Sequence, residues 1–129
     1  MLNDTLANAL SAILNAEKIG KKECIIMPPS KIIRDIFKIM NENGYIGSFE
    51  EVVNQKGNLL KINLLGNINK CGAIKPRYSF KKGEYERFEI RYLPAKGFGI
   101  VFVSTSKGIM SHNEAKKKGI GGKLLAYCY

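Results

Sequence analysis

The apolar run Ile100-Val101-Phe102-Val103, preceded by Phe98 and Gly99, gives way without transition to Ser104-Thr105-Ser106-Lys107-Gly108-Ile109-Met110. A short unbroken run rich in β-branched and aromatic residues fits a buried strand. Three hydroxyls, a lysine and a glycine follow where that strand must leave the core, so a greasy anchor presents a polar tip. Ser, Thr and Lys offer the donors and acceptors that phosphates, ribose hydroxyls and base edges require, and Gly108 permits close approach or a left-handed backbone. A turn whose hydroxyls only satisfy their own backbone has the same composition. The rest of the chain decides between the two.

Charge is the first deciding feature. The formal net charge is +10 over 129 residues. Residues 1–64 carry eight Lys and Arg against seven acids, whereas residues 65–129 carry thirteen against four. Nearly all the excess therefore lies in the half that holds the hydroxyl stretch. A basic lobe of this kind meets nucleic acid more often than an anionic membrane, and no basic amphipathic helix with bulky aromatics argues for the membrane.

A hydrophobic content of 45% supports a globular core without disulfides or metals, in one domain or two small lobes. No apolar run approaches the roughly 20 residues needed to span a bilayer. The opening Met1-Leu2-Asn3-Asp4-Thr5 has an acid where a secretion signal has bases, so a cytoplasmic protein is expected. Cys24, Cys71 and Cys128 are odd in number and lack C-x-x-C spacing, which favours reduced, buried or neutral thiols over a disulfide framework or a zinc site.

Taken in order, Leu2, Leu6, Leu10, Ile13 and Leu14 predict a helix from 4 to about 18, capped by Asp4 or Thr5, with Asn3, Asn8, Asn15 and Lys18 on its polar side. A strand is expected within Ile19 to Met27. Pro28-Pro29-Ser30 ends it and opens a helix over about 30–43 with Ser30 as N-cap. That helix buries Ile32, Ile33, Ile36, Phe37 and Met40 and aligns Lys31, Arg34 and Lys38 as a basic stripe, with Lys31 beside the free N–H groups of the helix start. Tyr45 to Val53 and Leu59 to Leu65 form a hairpin through residues 54–58. Residues 66–72 are polar and glycine-containing, a linker between lobes 1–65 and 73–129.

Residues 74–83 mix bases and aromatics in an exposed-looking loop, a composition suited to a secondary RNA contact. Arg87 to Tyr92 alternates and predicts a half-buried strand with Phe88, Ile90 and Tyr92 inward. Ser111 and Glu114 form a capping box for a short helix through Lys118, Gly119-Ile120-Gly121-Gly122 breaks it, and Leu124 to Tyr129 is a final strand. The fold class expected is α+β, with an N-terminal α-β-α-β-β lobe and a mainly β C-terminal lobe carrying one short helix.

Catalytic readings fail on context. Ser104-Thr105-Ser106-Lys107 matches S-x-x-K, but that motif needs a helix-start serine and partner motifs missing here. Gly119 to Gly122 follows a helix and precedes a strand, the reverse of a dinucleotide loop. His112 is the single histidine and sits at a helix cap, and the acids are dispersed. Neither catalytic residues nor a metal, a cofactor or a small-molecule substrate is expected.

Several stretches together resemble one family. Val103 to Met110, Glu114-Ala115-Lys116-Lys117, Gly119 to Gly122 and the terminal Leu124-Leu125-Ala126-Tyr127-Cys128-Tyr129 are similar to the signature of the eighth small-subunit ribosomal protein. Asp4 with Asn15-Ala16, Pro29-Ser30-Lys31 and Asn43-Gly44-Tyr45-Ile46 continue the resemblance toward the N-terminus, in the right order. It implies a cytoplasmic, two-lobed primary rRNA-binding protein docked on a central-domain stem of small-subunit rRNA, among other small-subunit proteins. It also implies an ability to bind the messenger of its own operon. By the same resemblance Ser104, Thr105, Ser106, Lys107 and Gly108 form the main recognition loop, supported by Ile109 and Met110. Gly121 and Gly122 let RNA or the neighbouring loop come close, and Asn3, Asp4, Thr5, Asn8, Ser30 and Lys31 are weaker contacts of the first lobe. The segment Tyr78 to Arg91 is longer than in bacterial members and lacks their Arg-Pro-Gly, Lys123 stands where an acid is common, and Tyr129 replaces a tryptophan, as in the archaeal and eukaryotic branch. RNA contacts by Arg77, Lys81, Arg87 and Arg91 rest on charge alone.

Overall fold

The computed structural model describes residues 5–26, 31–54, 57–74, 77–81, 83–95 and 98–129. The chain packs as two compact units, Met1–Lys70 and Cys71–Tyr129. Their strands are antiparallel throughout and accompanied by helices, an α+β fold.

In the first unit, α1 (Thr5–Ile19) is followed by β1 (Glu23–Ile26), α2 (Lys31–Glu42), β2 (Ile46–Asn54) and β3 (Gly57–Leu64), with β3 central in a sheet of order β1-β3-β2. Leu6, Ala9, Leu10, Ile13 and Ala16 recur at three- and four-residue spacing and are buried, as are Ile33, Ile36, Phe37 and Met40 of α2. Helix α2 packs on β2, where the Phe37 and Phe49 rings meet edge to face at 6.3 Å. Gly44, with φ of +77°, ends α2, and the next N–H, that of Tyr45, donates back to Met40 O at 2.9 Å. The basic stripe expected on α2 is interrupted: Arg34 pairs with Glu51 of β2, which leaves Lys31 and Lys38 as the exposed cations on that side. Within the stretch read as a linker, Ile68 is buried and Asn67 Nδ2 donates to Gly44 O at 2.8 Å.

The second unit contains β4 (Cys71–Ala73), β5 (Ser79–Phe80), α3 (Tyr85–Tyr92), β6 (Ile100–Thr105), β7 (Gly108–Ser111), α4 (His112–Lys118) and β8 (Gly122–Cys128). Its sheet runs β4-β8-β6-β7, with β5 also pairing with β8. Two expectations are corrected here. Residues 87–92 are not a strand but most of α3, so this unit has two short helices rather than one. The alternation that favoured a strand covers only six residues, whereas Tyr85, Phe88 and Tyr92 fall at i, i+3 and i+7 among helix-favouring Glu and Arg. Once the helix forms, Tyr85, Phe88 and Glu89 turn inward and Ile90, expected inside, is 81% exposed. The loop read over 74–83 is likewise anchored, since Ile74 and Phe80 are buried and Ser79–Phe80 adds β5 to the sheet.

Phe80, Tyr85 and Phe88 pack mutually edge to face at 5.1 to 5.9 Å between centroids, against Val101, Val103, Met110 and Leu124 of the sheet. The Tyr85 hydroxyl donates to Ile120 O and ties α3 to the end of α4. Cys71 and Cys128 are buried thiols, and burial pushes the half-buried Cys24 thiol up in pKa.

Candidate nucleic-acid interface

Strand β6 sits between β8 and β7, and Ile100 to Val103 are all buried, so the hairpin β6–β7 is held at its base and emerges only at its tip. Thr105 faces Gly108 in register, which leaves Ser106 and Lys107 as a two-residue connection. Tight hairpins need positive φ somewhere in the turn. Here Gly108 supplies it at +112°, and among the described residues only glycines have a positive φ. Open space surrounds the position where a Cβ would stand on Gly108, so backbone conformation alone calls for glycine there.

The three hydroxyls are not equivalent. Thr105 Oγ1 donates to Gly108 O at 2.8 Å and accepts from the Lys107 N–H at 3.2 Å, so it closes the turn. Ser104 is half-buried in the strand, whereas Ser106 and Lys107 are exposed at the tip. Both plain readings of the motif therefore apply, to different residues: one hydroxyl is spent on the backbone and another faces solvent. Ile109 is half-buried opposite Ser104, and Met110 lies in the core opposite Val103.

Gly121 and Gly122 serve the neighbouring backbone. A Cβ on Gly122 would lie 2.1 Å from Ser104 O, and one on Gly121 would lie 2.5 Å from Phe80 O. The pair lets β8 start between β5 and β6 at a distance no larger residue allows. The result is a row across three strands, Ser79–Lys123–Ser104, that continues to Ile109 on β7. In-register antiparallel partners share a face, so exposed Lys123 stands beside Ser104 near the foot of the tip. Lys123 was not among the site residues read from sequence, because the final strand was expected to begin at Leu124. It begins at Gly122. The Gly-Gly pair was the signal that the strand could start earlier.

Behind the hairpin, His112 is a structural residue. Its Nδ1 accepts the Val101 N–H at 3.1 Å and its Nε2 lies 3.4 Å from Glu89 Oε1, which also takes Lys116 Nζ at 3.0 Å. Burial holds the His112 pKa below its usual range. Helix α4 is capped as expected by Ser111 Oγ, which accepts the Glu114 N–H at 3.3 Å, and ends at left-handed Gly119 after Lys116, Lys117 and Lys118.

In the first unit, Asn8 is exposed on α1 and Lys31 on the first turn of α2, while Thr5 opens α1. Asn3, Asp4 and Ser30 lie outside the described residues. The structure brings Ser104 to Met110 and Gly121-Gly122 together within one sheet.

A family model for ribosomal protein S8 matches residues 4–129. The chain belongs to the ribosomal protein S8 family. As a member it is a protein of the small ribosomal subunit that binds rRNA and works with other ribosomal proteins in the cytoplasmic ribosome. Ribosomal protein S8 is a structural family, not an enzyme family. Among the described residues no helix is long and apolar enough to cross a membrane.

Proposed function

We propose that the tip of the β6–β7 hairpin recognises an irregular stem in the central domain of small-subunit rRNA and that this contact aids subunit assembly. The observation that carries the reading is the exposed Ser106-Lys107 pair, mounted on a buried strand and flanked by Lys123. A-form RNA hides its base edges in a deep major groove and is read through shape, 2′-hydroxyls and splayed bases. A short hydroxyl tip suits that surface better than a long helix. Ser106 and the half-buried Ser104 supply selective hydrogen bonds, Lys107 and Lys123 meet phosphates, and Thr105, Gly108, Ile109 and Met110 hold the shape. Gly121 and Gly122 set the close strand spacing that places Lys123. Asn8 and Lys31, with Asn3, Asp4, Thr5 and Ser30, are lesser contacts to the RNA backbone. An mRNA copy of the same stem would make the protein a repressor of its own operon.

Titration of a central-domain stem transcript against an unrelated hairpin tests this reading. Ser106→Ala should cost on the order of 1–3 kcal/mol for the stem, with an unchanged salt slope. Lys107→Ala should lower that slope by about one unit. Equal losses of Ser106→Ala on both RNAs would remove selectivity from the hairpin.

A further inference from the structure

Beside the sheet, between β5 and α3, lies a groove of about 360 Å³ whose floor includes Phe80 and Phe88 and whose rim carries Tyr78, Arg87, Arg91 and Tyr92. We propose that this groove is a second RNA site, one that takes a single unpaired nucleotide with its base against Tyr78 and Arg91 and its phosphate on Arg87. The proposal rests on the RNA-binding reading above and extends it to a segment that the hairpin does not include.

The Arg91 guanidinium lies 5.6 Å from the Tyr78 ring centroid and 5.5 Å from that of Tyr92, so a flat cation is held against two aromatic faces. Such a surface offers π faces and positive charge together, the combination that binds unstacked bases with little sequence preference. These side chains are not core: Tyr78 is 42% exposed, and Arg87 and Arg91 face solvent. Glu84 is the acid on the rim, and it is offset by Arg87 at 3.7 Å in an exposed pair. Exposed pairs of that kind are weak, so a phosphate can displace the carboxylate.

Position favours a nucleotide over a free small molecule. Tyr78 directly precedes Ser79, which begins the row Ser79–Lys123–Ser104. Adjacent strands are about 4.8 Å apart, so the groove starts roughly 10 Å from Ser104, and one RNA can touch both the groove and the hairpin. The Tyr78 carbonyl accepts the Leu124 N–H at 2.9 Å, which fixes the rim to β8 through the backbone, while the side chain, with Arg91 over its ring, remains partly open to solvent.

The test uses the full-length protein, a transcript of the whole small-subunit central domain, and the variants Tyr78→Leu, Tyr78→Phe, Arg87→Ala and Ser106→Ala. Thermal melting first establishes that Tyr78→Leu folds like the parent, as its exposure and backbone bonding require. Tyr78→Leu should weaken transcript binding about 5- to 150-fold at an unchanged salt slope, the range for losing one stacked base. Tyr78→Phe should stay within about twofold, and Arg87→Ala should lower the salt slope by about one unit. Parental binding by Tyr78→Leu, alongside a loss in Ser106→Ala, would refute the groove and leave the hairpin reading intact. Equal losses in Tyr78→Leu and Tyr78→Phe would refute stacking. Parental binding by every variant would bring down both the RNA reading and this site.

Discussion

Each unit contains one long hairpin, and the two are built to opposite ends. In β2–β3 the outer strand β2 is at the sheet edge, and from Glu50 to Val53 its side chains are exposed, with Val53 at 81%. In β6–β7 the first strand is flanked on both sides by β8 and β7, and its first four residues are buried. The same motif is thus an outward-facing border in one unit and a fixed mount in the other. Each hairpin pairs an edge strand with a central one, so what separates them is burial: β3 alternates buried and more accessible residues from Leu59 to Leu64, whereas β6 buries four in a row. A polar tip can be selective only when its base does not move with it.

The sharpest way to break the contrast is to loosen the mount. Met110 of β7 is 3% exposed, sits opposite Val103, and packs in the core of the second unit. Met110→Ala should destabilise the protein by about 2–5 kcal/mol, read as a lower urea midpoint. Amide exchange should speed up in β6–β7 before β2–β3. Uniform acceleration in both hairpins would show that the mount is not local. Gly122→Ala attacks the same mount from β8 by driving a methyl group into Ser104 O. Its cost should be about 1–3 kcal/mol, with the Ser104–Lys123 pairing lost from amide exchange. An unchanged melting temperature would mean that β8 can shift away without penalty.

The sequence makes the hairpin easier to read than its surroundings, for physical reasons. Ile100 to Val103 is a fully buried strand, and such strands announce themselves by unbroken hydrophobicity. The helices of the first unit are equally plain because Leu6, Leu10 and Ile13 mark one face. Helix α3 was misread because in six residues a two-residue period and a helical period share most of their apolar positions. Only tertiary packing of Tyr85 and Phe88 decides between them. Glu89 was misplaced for the same reason: on a strand it faced solvent, and on the helix it is buried against His112 and Lys116. Lys123 faces Ser104 and Ser79 through pairing with strands roughly twenty and forty residues away, and Tyr78 meets Arg91 only once α3 folds back beside β5, none of which local pattern encodes. Thr105 reads as a loop residue but is the last residue of β6, and its use as the turn's own clasp depends on where the Gly108 carbonyl points.

Acid should separate the two hairpins as well. His112, the only histidine in the chain, directly follows β7 and clasps β6 through the Val101 N–H; β2–β3 has no such group. The charged groups facing it are Glu89, at 3.4 Å, and, through that carboxylate, Lys116. Because burial depresses its folded pKa, the unfolded chain binds the proton more readily. The stabilisation is therefore complete above the ordinary histidine pKa of about 6.5 and is lost as pH falls below it. Amide exchange in β6–β7 should accelerate between neutral and mildly acidic pH while β2–β3 changes less. His112→Asn, which keeps an acceptor for Val101 but does not titrate there, should flatten that dependence. A slope that survives the substitution would assign it to another group.

The smallest effect belongs to the exposed border. Val53 pairs in register with Asn58 near the end of β2, and its side chain is open to solvent. Replacing it with threonine keeps the β-branched shape and β-propensity while removing apolar surface that contributes no burial. Val53→Thr should change stability by no more than about 0.5 kcal/mol and leave amide exchange in β6–β7 untouched. A loss above about 1 kcal/mol would mean that this edge is covered in solution, and the difference between the two hairpins would then lie in what covers each strand rather than in whether it is covered.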